Sequence, residues 1–233
     1  MSDYPYRRPD LKPDNILVKI EDPVILESAA HDEYASPSPQ KVTADRTIYL
    51  SRNDFGHLLK PTGIVQVSDF GLSVSGKTQQ TGCIQAEPYR APEVILDAGY
   101  SYSADIWSLG VLIWELLEGK RLFNPIDEKN ESEYNESLHL AQLTKILGPP
   151  PRAMLSSGRR TALLYKPNGD LKQPELVPDN FDLENTISSI SSREKEKFLE
   201  FARRMIKWDP EERSTAKQLL KDPWLYKDFL SKE

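Results

Sequence analysis

The sequence is poor in cysteine, in basic excess and in long apolar runs, and each shortage excludes something. Its 233 residues include a single cysteine, Cys83, so no internal disulfide can form and a reducing compartment suits the chain. A lone thiol of this kind reads first as a small buried or half-buried side chain, ahead of a nucleophile. Lys and Arg number 30 against 36 Asp and Glu, a net charge of −6. That balance disfavours nucleic-acid binding, which usually needs a basic face, whereas a basic protein or peptide partner fits. The most apolar stretch, Val111 to Leu117, is interrupted by Glu115 and is far too short to span a bilayer. The opening MSDYPYRRPDLKPDN has no apolar run of signal-peptide type. Three histidines, His31, His57 and His139, show no metal-ligand spacing. What remains is a protein of the cytoplasm or nucleus, without membrane or nucleic-acid contacts and with no signal for oligomeric state.

What is present suffices for a packed core: 38% of residues are hydrophobic, with four Trp and ten Tyr. The length fits one domain or two small ones. Asn15–Ile20 reads as a strand, because Ile16, Val18 and Ile20 alternate with Asn15, Leu17 and Lys19. Ser28–Lys41 follows as a polar segment too poor in apolar residues to pack, expected as a disordered insert around 28–41. Its Ser-Pro pairs at Ser36 and Ser38 are either acceptors for a proline-directed kinase or part of a solvated loop with no such role. Thr47–Leu50 and Gly63–Val67 are further strands.

The pattern then turns helical. Ser103–Gly119 carries apolar residues around almost its whole circumference, which predicts burial on nearly all sides. Leu140, Leu143 and Leu147 form one stripe ending at Gly148-Pro149. Ser191 with Glu194 has the form of a capping box ahead of Phe198, Phe201, Ala202 and Met205. A last helix follows Ser214 and stops before Asp222-Pro223.

Five segments carry chemistry. Asp10-Leu-Lys12-Pro-Asp-Asn15 places a carboxylate, an ammonium and an amide oxygen at i, i+2 and i+5 before a strand. Phosphoryl transfer to a hydroxyl needs those three groups: one to orient the hydroxyl and accept its proton, one for the moving phosphate, one for magnesium. Asp69-Phe70-Gly71 follows a strand, where the Asp can bind a magnesium that bridges nucleotide phosphates. Tyr89-Arg90-Ala91-Pro92-Glu93, Asp105-Ile-Trp107-Ser-Leu-Gly110 and Asp209-Pro-Glu-Glu-Arg213 complete the set. Each alone is an ordinary cap, turn or helix start. All five in this order are not.

In that order they resemble a eukaryotic protein kinase from its catalytic loop to its C-terminus, over nearly the whole chain. Within that superfamily the sequence is most similar to the SR-protein-specific serine/threonine kinases. The closer match rests on Asp10-Leu-Lys-Pro-Asp-Asn15, the long insert before Asp69, Ile84-Gln85 leading to Tyr89-Arg90, Tyr102-Ser-Ala-Asp105-Ile-Trp107 and Leu147-Gly-Pro-Pro-Pro151.

The resemblance implies a mostly α fold with a few short strands, a kinase C-lobe without the N-lobe, over residues 1–233. It implies ATP and Mg2+ as cofactors, Asp10 as catalytic base and Lys12 as the γ-phosphate contact, with Asn15 and Asp69 as magnesium ligands. Glu93 would pair with Arg213 to brace a substrate loop that includes Glu87, Tyr89 and Arg90. Asp105 would accept hydrogen bonds from the catalytic-loop backbone. The implied reaction is transfer of the ATP γ-phosphate to protein Ser or Thr, with Arg/Ser-rich splicing factors as the substrate class. Asp127, Glu128, Glu131, Glu133 and Glu136 would form an acidic docking region, or else a solvated acidic loop.

Departures from the family pattern matter as well. Arg8-Pro9-Asp10 replaces the usual His-Arg-Asp, and Ala86 stands where a threonine is common. The nine residues before Asp10 hold no Lys, Glu or Gly, and no G-x-G-x-x-G occurs in the chain. The expectation is thus an N-terminally truncated catalytic domain, inactive or very weak alone, with leucine or tryptophan side chains of the central helix left uncovered. The alternative is a non-catalytic kinase-lobe binding module that competes for substrates.

Overall fold

A computed structural model describes residues 6–7, 11–20, 22–51, 65–71, 73–75, 79–127 and 133–226. Along the chain run β1 (Tyr6–Arg7), β2 (Ile16–Val18), α1 (Val24–Ala35), β3 (Gln40–Val42), β4 (Thr47–Tyr49), β5 (Val65–Val67) and β6 (Val74–Ser75). Then follow α2 (Pro92–Ile95), α3 (Ser103–Glu118), β7 (Ile126–Asp127), β8 (Glu133–Tyr134), α4 (Glu136–Leu147), α5 (Arg152–Ser157), α6 (Thr161–Leu164), α7 (Ser192–Arg203) and α8 (Ala216–Leu219). The chain divides into two compact units, Met1–Asn15 with Asp69–Glu233, and Ile16–Ser68.

The core of the larger unit is built on α3. Trp107, Val111, Leu112 and Trp114 are buried, as the all-round apolar pattern predicts, while Ile106, Leu109 and Ile113 are half-buried. Both tryptophans are fully covered: Trp107 stacks on Phe123 with centroids 6.1 Å apart, and Trp114 meets Phe198 at 5.2 Å. The uncovered side chain on this helix is Leu116, at 62% exposure. Of the leucine or tryptophan side chains expected to lie uncovered it is thus a leucine, while Phe123 and the α7 face supply rings that cover both tryptophans. Gly119, with φ 67°, ends α3 in the left-handed conformation, its N–H returning to the Glu115 carbonyl at 2.8 Å. Gly110 faces the segment after α7, where a methyl group would lie 3.0 Å from Met205 Cβ.

The capping box at Ser191 and Glu194 opens α7, and Phe198, Phe201, Ala202 and Met205 behind it are all buried. In α4, Leu140 and Leu143 are fully buried, and Asn135 caps the first turn by accepting from the Leu138 N–H at 3.0 Å. The last helix is one short turn, α8, opened by a second capping box, Thr215 with Gln218.

In the smaller unit, β2 pairs antiparallel with β5, Ile16 opposite Val67, and β3 with β4, Gln40 opposite Tyr49. β2 covers only Ile16–Val18 of the expected Asn15–Ile20, and the residues of β2 to β5 are exposed apart from the half-buried Ile16: Leu17, Val18, Val65 and Val67 among them. The polar segment 28–41, expected as a disordered insert, holds most of α1 and the start of β3. Low apolar content does forbid packing, and no α1 residue is buried. Helix formation needs only local support, which Ala, Leu and Glu propensity supplies, together with the Asp22 carboxylate accepting from the Val24 N–H at 3.0 Å. Cys83 is also corrected: it is exposed, in the loop after Gly82. Among the described residues, no helix is long and apolar enough to cross a membrane.

Candidate active site

Lys12 and Asn15 share one tight turn, closed by the Asn15 N–H donating to the Lys12 carbonyl at 3.1 Å. Pro13 sets this turn up by fixing its own φ, and Asn15 sits buried within it at 7% exposure. Asp10 lies outside the described residues. Asp69 adopts φ 60°, a left-handed conformation that Asp tolerates better than most non-glycine residues. Its carboxylate receives the Gly71 N–H at 3.4 Å, and the neighbouring Phe70 is 60% exposed. Asn15 and Asp69 offer an amide oxygen and a carboxylate, hard donors of the type magnesium takes.

The loop at 85–93 is the most heavily constrained part of the site. Glu93, in the first turn of α2, and Arg213 are both fully buried and meet in a fork: Nη1 and Nη2 each donate to one carboxylate oxygen at 2.7 Å. The other guanidinium contacts are also satisfied, Nε to the Lys207 carbonyl at 3.0 Å and Nη1 to the Ser103 carbonyl at 2.9 Å. The Trp107 ring lies 5.0 Å from the guanidinium carbon. This satisfied geometry is what a buried ion pair needs to offset its desolvation.

Gln85 is the residue whose importance the sequence reading missed. Its backbone takes φ 68°, and its side chain is buried. The amide nitrogen donates to the Ala104 carbonyl at 2.9 Å and to Ser108 Oγ at 2.8 Å, while the amide oxygen accepts from the Ala91 N–H at 2.8 Å. Ser108 Oγ in turn donates to the Tyr89 carbonyl at 3.0 Å. One side chain thus ties both ends of the loop to the head of α3. Nothing in the composition of the segment signals this, since it requires knowing which polar atoms would be buried without partners.

Tyr89 and Arg90 are both buried in this loop. The Tyr89 hydroxyl hydrogen-bonds Glu115, and burial, followed by that bond, pushes the phenol upward. Arg90 donates to the Ile84 carbonyl at 3.3 Å and lies 4.9 Å from the centre of the Tyr134 ring. Glu87 is exposed at the edge. Asp105 stands in the first turn of α3, while Arg8–Asp10, part of the catalytic loop it is expected to meet, lie outside the described residues.

The acidic region is only partly available. Glu136 is held by Arg160 through two bonds of 2.6 and 2.7 Å, so its charge is neutralised. Glu133 is exposed at the rim of an open groove of about 450 Å³ that Tyr134, Ser137 and Arg160 also line. Asp127 belongs to β7, and Glu128 and Glu131 lie outside the described residues.

The protein kinase domain profile matches residues 6–225. The chain belongs to the protein kinase family. A serine/threonine protein kinase of Aspergillus fumigatus is 38% identical over 196 residues, which are 83% of this kinase and 48% of that one. Serine/threonine-protein kinase SKY1 of Saccharomyces cerevisiae is 32% identical over 172 residues, 72% of this kinase and 23% of its own chain. The crystal structure of another kinase domain matches 95% of this kinase and 60% of that chain, with 25% identity and a TM-score of 0.64. The kinase spans about half the length of the Aspergillus relative. Family members use ATP and magnesium, which the oxygen donors of Asn15 and Asp69 suit.

Beneath the loop lies a buried histidine that gives this kinase a pH signature. His139 Nδ1 is 3.1 Å from the Tyr134 hydroxyl, and Nε2 has no hydrogen-bond partner among the described residues. Burial, with Arg90 adding, holds the imidazole down to about 3. Its folded value is depressed, so the unfolded chain binds a proton that the folded one refuses between the ordinary value of 6.5 and about 3. The contribution of His139 to stability should be constant above that window and fall as pH drops through it, at about 1.4 kcal/mol per unit. His139→Gln keeps a partner for Tyr134 and should flatten the melting temperature between pH 6.5 and 4. Parallel profiles for the two proteins would show that the ring is not buried in neutral form.

Proposed function

We propose that the protein is a serine/threonine kinase that transfers the ATP γ-phosphate to serine or threonine in Arg/Ser-rich proteins. The observation that carries this reading is the buried Glu93–Arg213 fork, which holds the 85–93 loop in one shape beside the head of α3. A loop fixed in this way can present a hydroxyl to Asp10 without the rearrangement a floppy segment would need. Asp10 would orient the hydroxyl and take its proton, and Lys12 would contact the γ-phosphate. Asn15 and Asp69 would hold magnesium, which neutralises charge on the phosphates when bound. The exposed carboxylates of Glu87 and Glu133 would favour an arginine-rich substrate, and the similarity to the SR-protein-specific kinases supports that class.

A second reading is a non-catalytic binding module. It is favoured by Ala86, which offers no hydroxyl at the position where a threonine commonly bonds the catalytic Asp and Lys. The two readings separate on one variant. With magnesium, ATP and an Arg/Ser-repeat peptide, slow phosphate incorporation is expected, and Asp10→Ala should lower it roughly a hundred- to a thousand-fold, the scale of losing one transition-state contact. Peptide binding that survives in Asp10→Ala, with no incorporation by either protein, would overturn the kinase reading in favour of the module.

A further inference from the structure

The geometry points to Ser36 as a phosphoacceptor for a proline-directed protein kinase, with Ser38 two residues on held in reserve by Glu33. Ser36-Pro37-Ser38-Pro39 repeats a Ser-Pro acceptor pair, and the structure treats the two serines differently. Ser36 is exposed at the C-terminal end of α1, with φ −141° and ψ 80°, and has left the helical conformation that a following proline disfavours. Ser38 is latched: its N–H donates to Glu33 Oε1 at 2.6 Å and its hydroxyl to Oε2 at 2.7 Å. The Pro39 carbonyl accepts from the Leu50 N–H at 3.0 Å, so the far end of the segment is anchored to the β3–β4 hairpin. An enzyme that takes an extended Ser-Pro segment would find the Ser36 hydroxyl presented and the Ser38 hydroxyl engaged.

The modification would act on α1. In the transfer, Ser36 Oγ forms a bond to the γ-phosphorus of ATP as the bond to ADP breaks, and the hydroxyl proton leaves to the base of the acting enzyme. The product carries a charge of about −1.5 to −2 at pH 7. It sits at the C-terminal end of the helix, where the dipole is already negative, four residues after Asp32 and three after Glu33. No α1 residue is buried, and a twelve-residue helix with only Ile25, Ala29 and Glu33 half-buried is marginal. The last turn, closed by the Ser36 N–H donating to the Asp32 carbonyl at 2.8 Å, should therefore open.

The test uses the whole chain, magnesium, labelled ATP and a purified proline-directed kinase, with a sample lacking that enzyme as the blank. Mass spectrometry should place the first phosphate on Ser36, and amide exchange across 28–36 should speed up roughly three- to thirtyfold. Glu33→Ala should raise the labelling rate of Ser38 roughly fivefold by freeing its hydroxyl, and Glu33→Gln should give an intermediate value. Labelling of Ser38 ahead of Ser36, or no labelling of either, would overturn the assignment. So would labelled Ser36 with unchanged exchange across α1, because the proposed effect on the helix would then be absent.

Discussion

Glu93→Ala is expected to destabilise the protein by about 3–5 kcal/mol, the cost of leaving one member of a buried pair without its partner. Arg213 would keep its charge, since a guanidinium does not deprotonate in a protein, and it would do so at 0% side-chain exposure. The carbonyls of Lys207 and Ser103 already accept from it, but neither carries the countercharge. The double variant Glu93→Met with Arg213→Met tests the interpretation. Removing both charges should recover much of the loss, because apolar replacements of similar volume are often neutral in such sites. Urea unfolding of the wild type, the single and the double variants settles it. If the double variant is as unstable as the single, the loss lies in loop packing and not in the stranded charge.

Trp114→Ala should cost a similar amount, about 3–5 kcal/mol, for a different reason. The indole is fully buried between α3 and α7, 5.2 Å from the Phe198 ring, which in turn lies 5.1 Å from Trp224. Alanine would leave a cavity that these rigid rings cannot close. Trp114→Phe should lose clearly less, because it keeps a ring against Phe198. Thermal unfolding of the two variants distinguishes them. Equal losses would overturn the cavity account, because phenylalanine refills most of the space that alanine leaves empty.

The sequence was legible where one residue's neighbours in sequence decide its fate. The α3 circumference, the Ser191–Glu194 box and the buried stripe of α7 are all local patterns with local causes. The α1 segment was misread because its composition was weighed for packing, while its helix rests on propensity and end bonds. Cys83 was placed too deep for a related reason, since a lone apolar-leaning side chain says nothing about which loop carries it. At the candidate site, Glu93 and Arg213 were paired only through the family resemblance, 120 positions apart. Gln85 could not have been found at all. Its three side-chain hydrogen bonds reach Ala91, Ala104 and Ser108 from a buried position, which only the folded arrangement reveals.

The Glu93–Arg213 fork also sets a timetable for biosynthesis. At about 5–20 residues per second, the 120 positions between its members take roughly 6–24 s to translate. Throughout that interval the 85–93 loop exists without its brace, and Glu93 must stay hydrated. A growing chain therefore cannot bury this loop early. The braced loop can be set only once Arg213 has been made, so its closure comes late in biosynthesis.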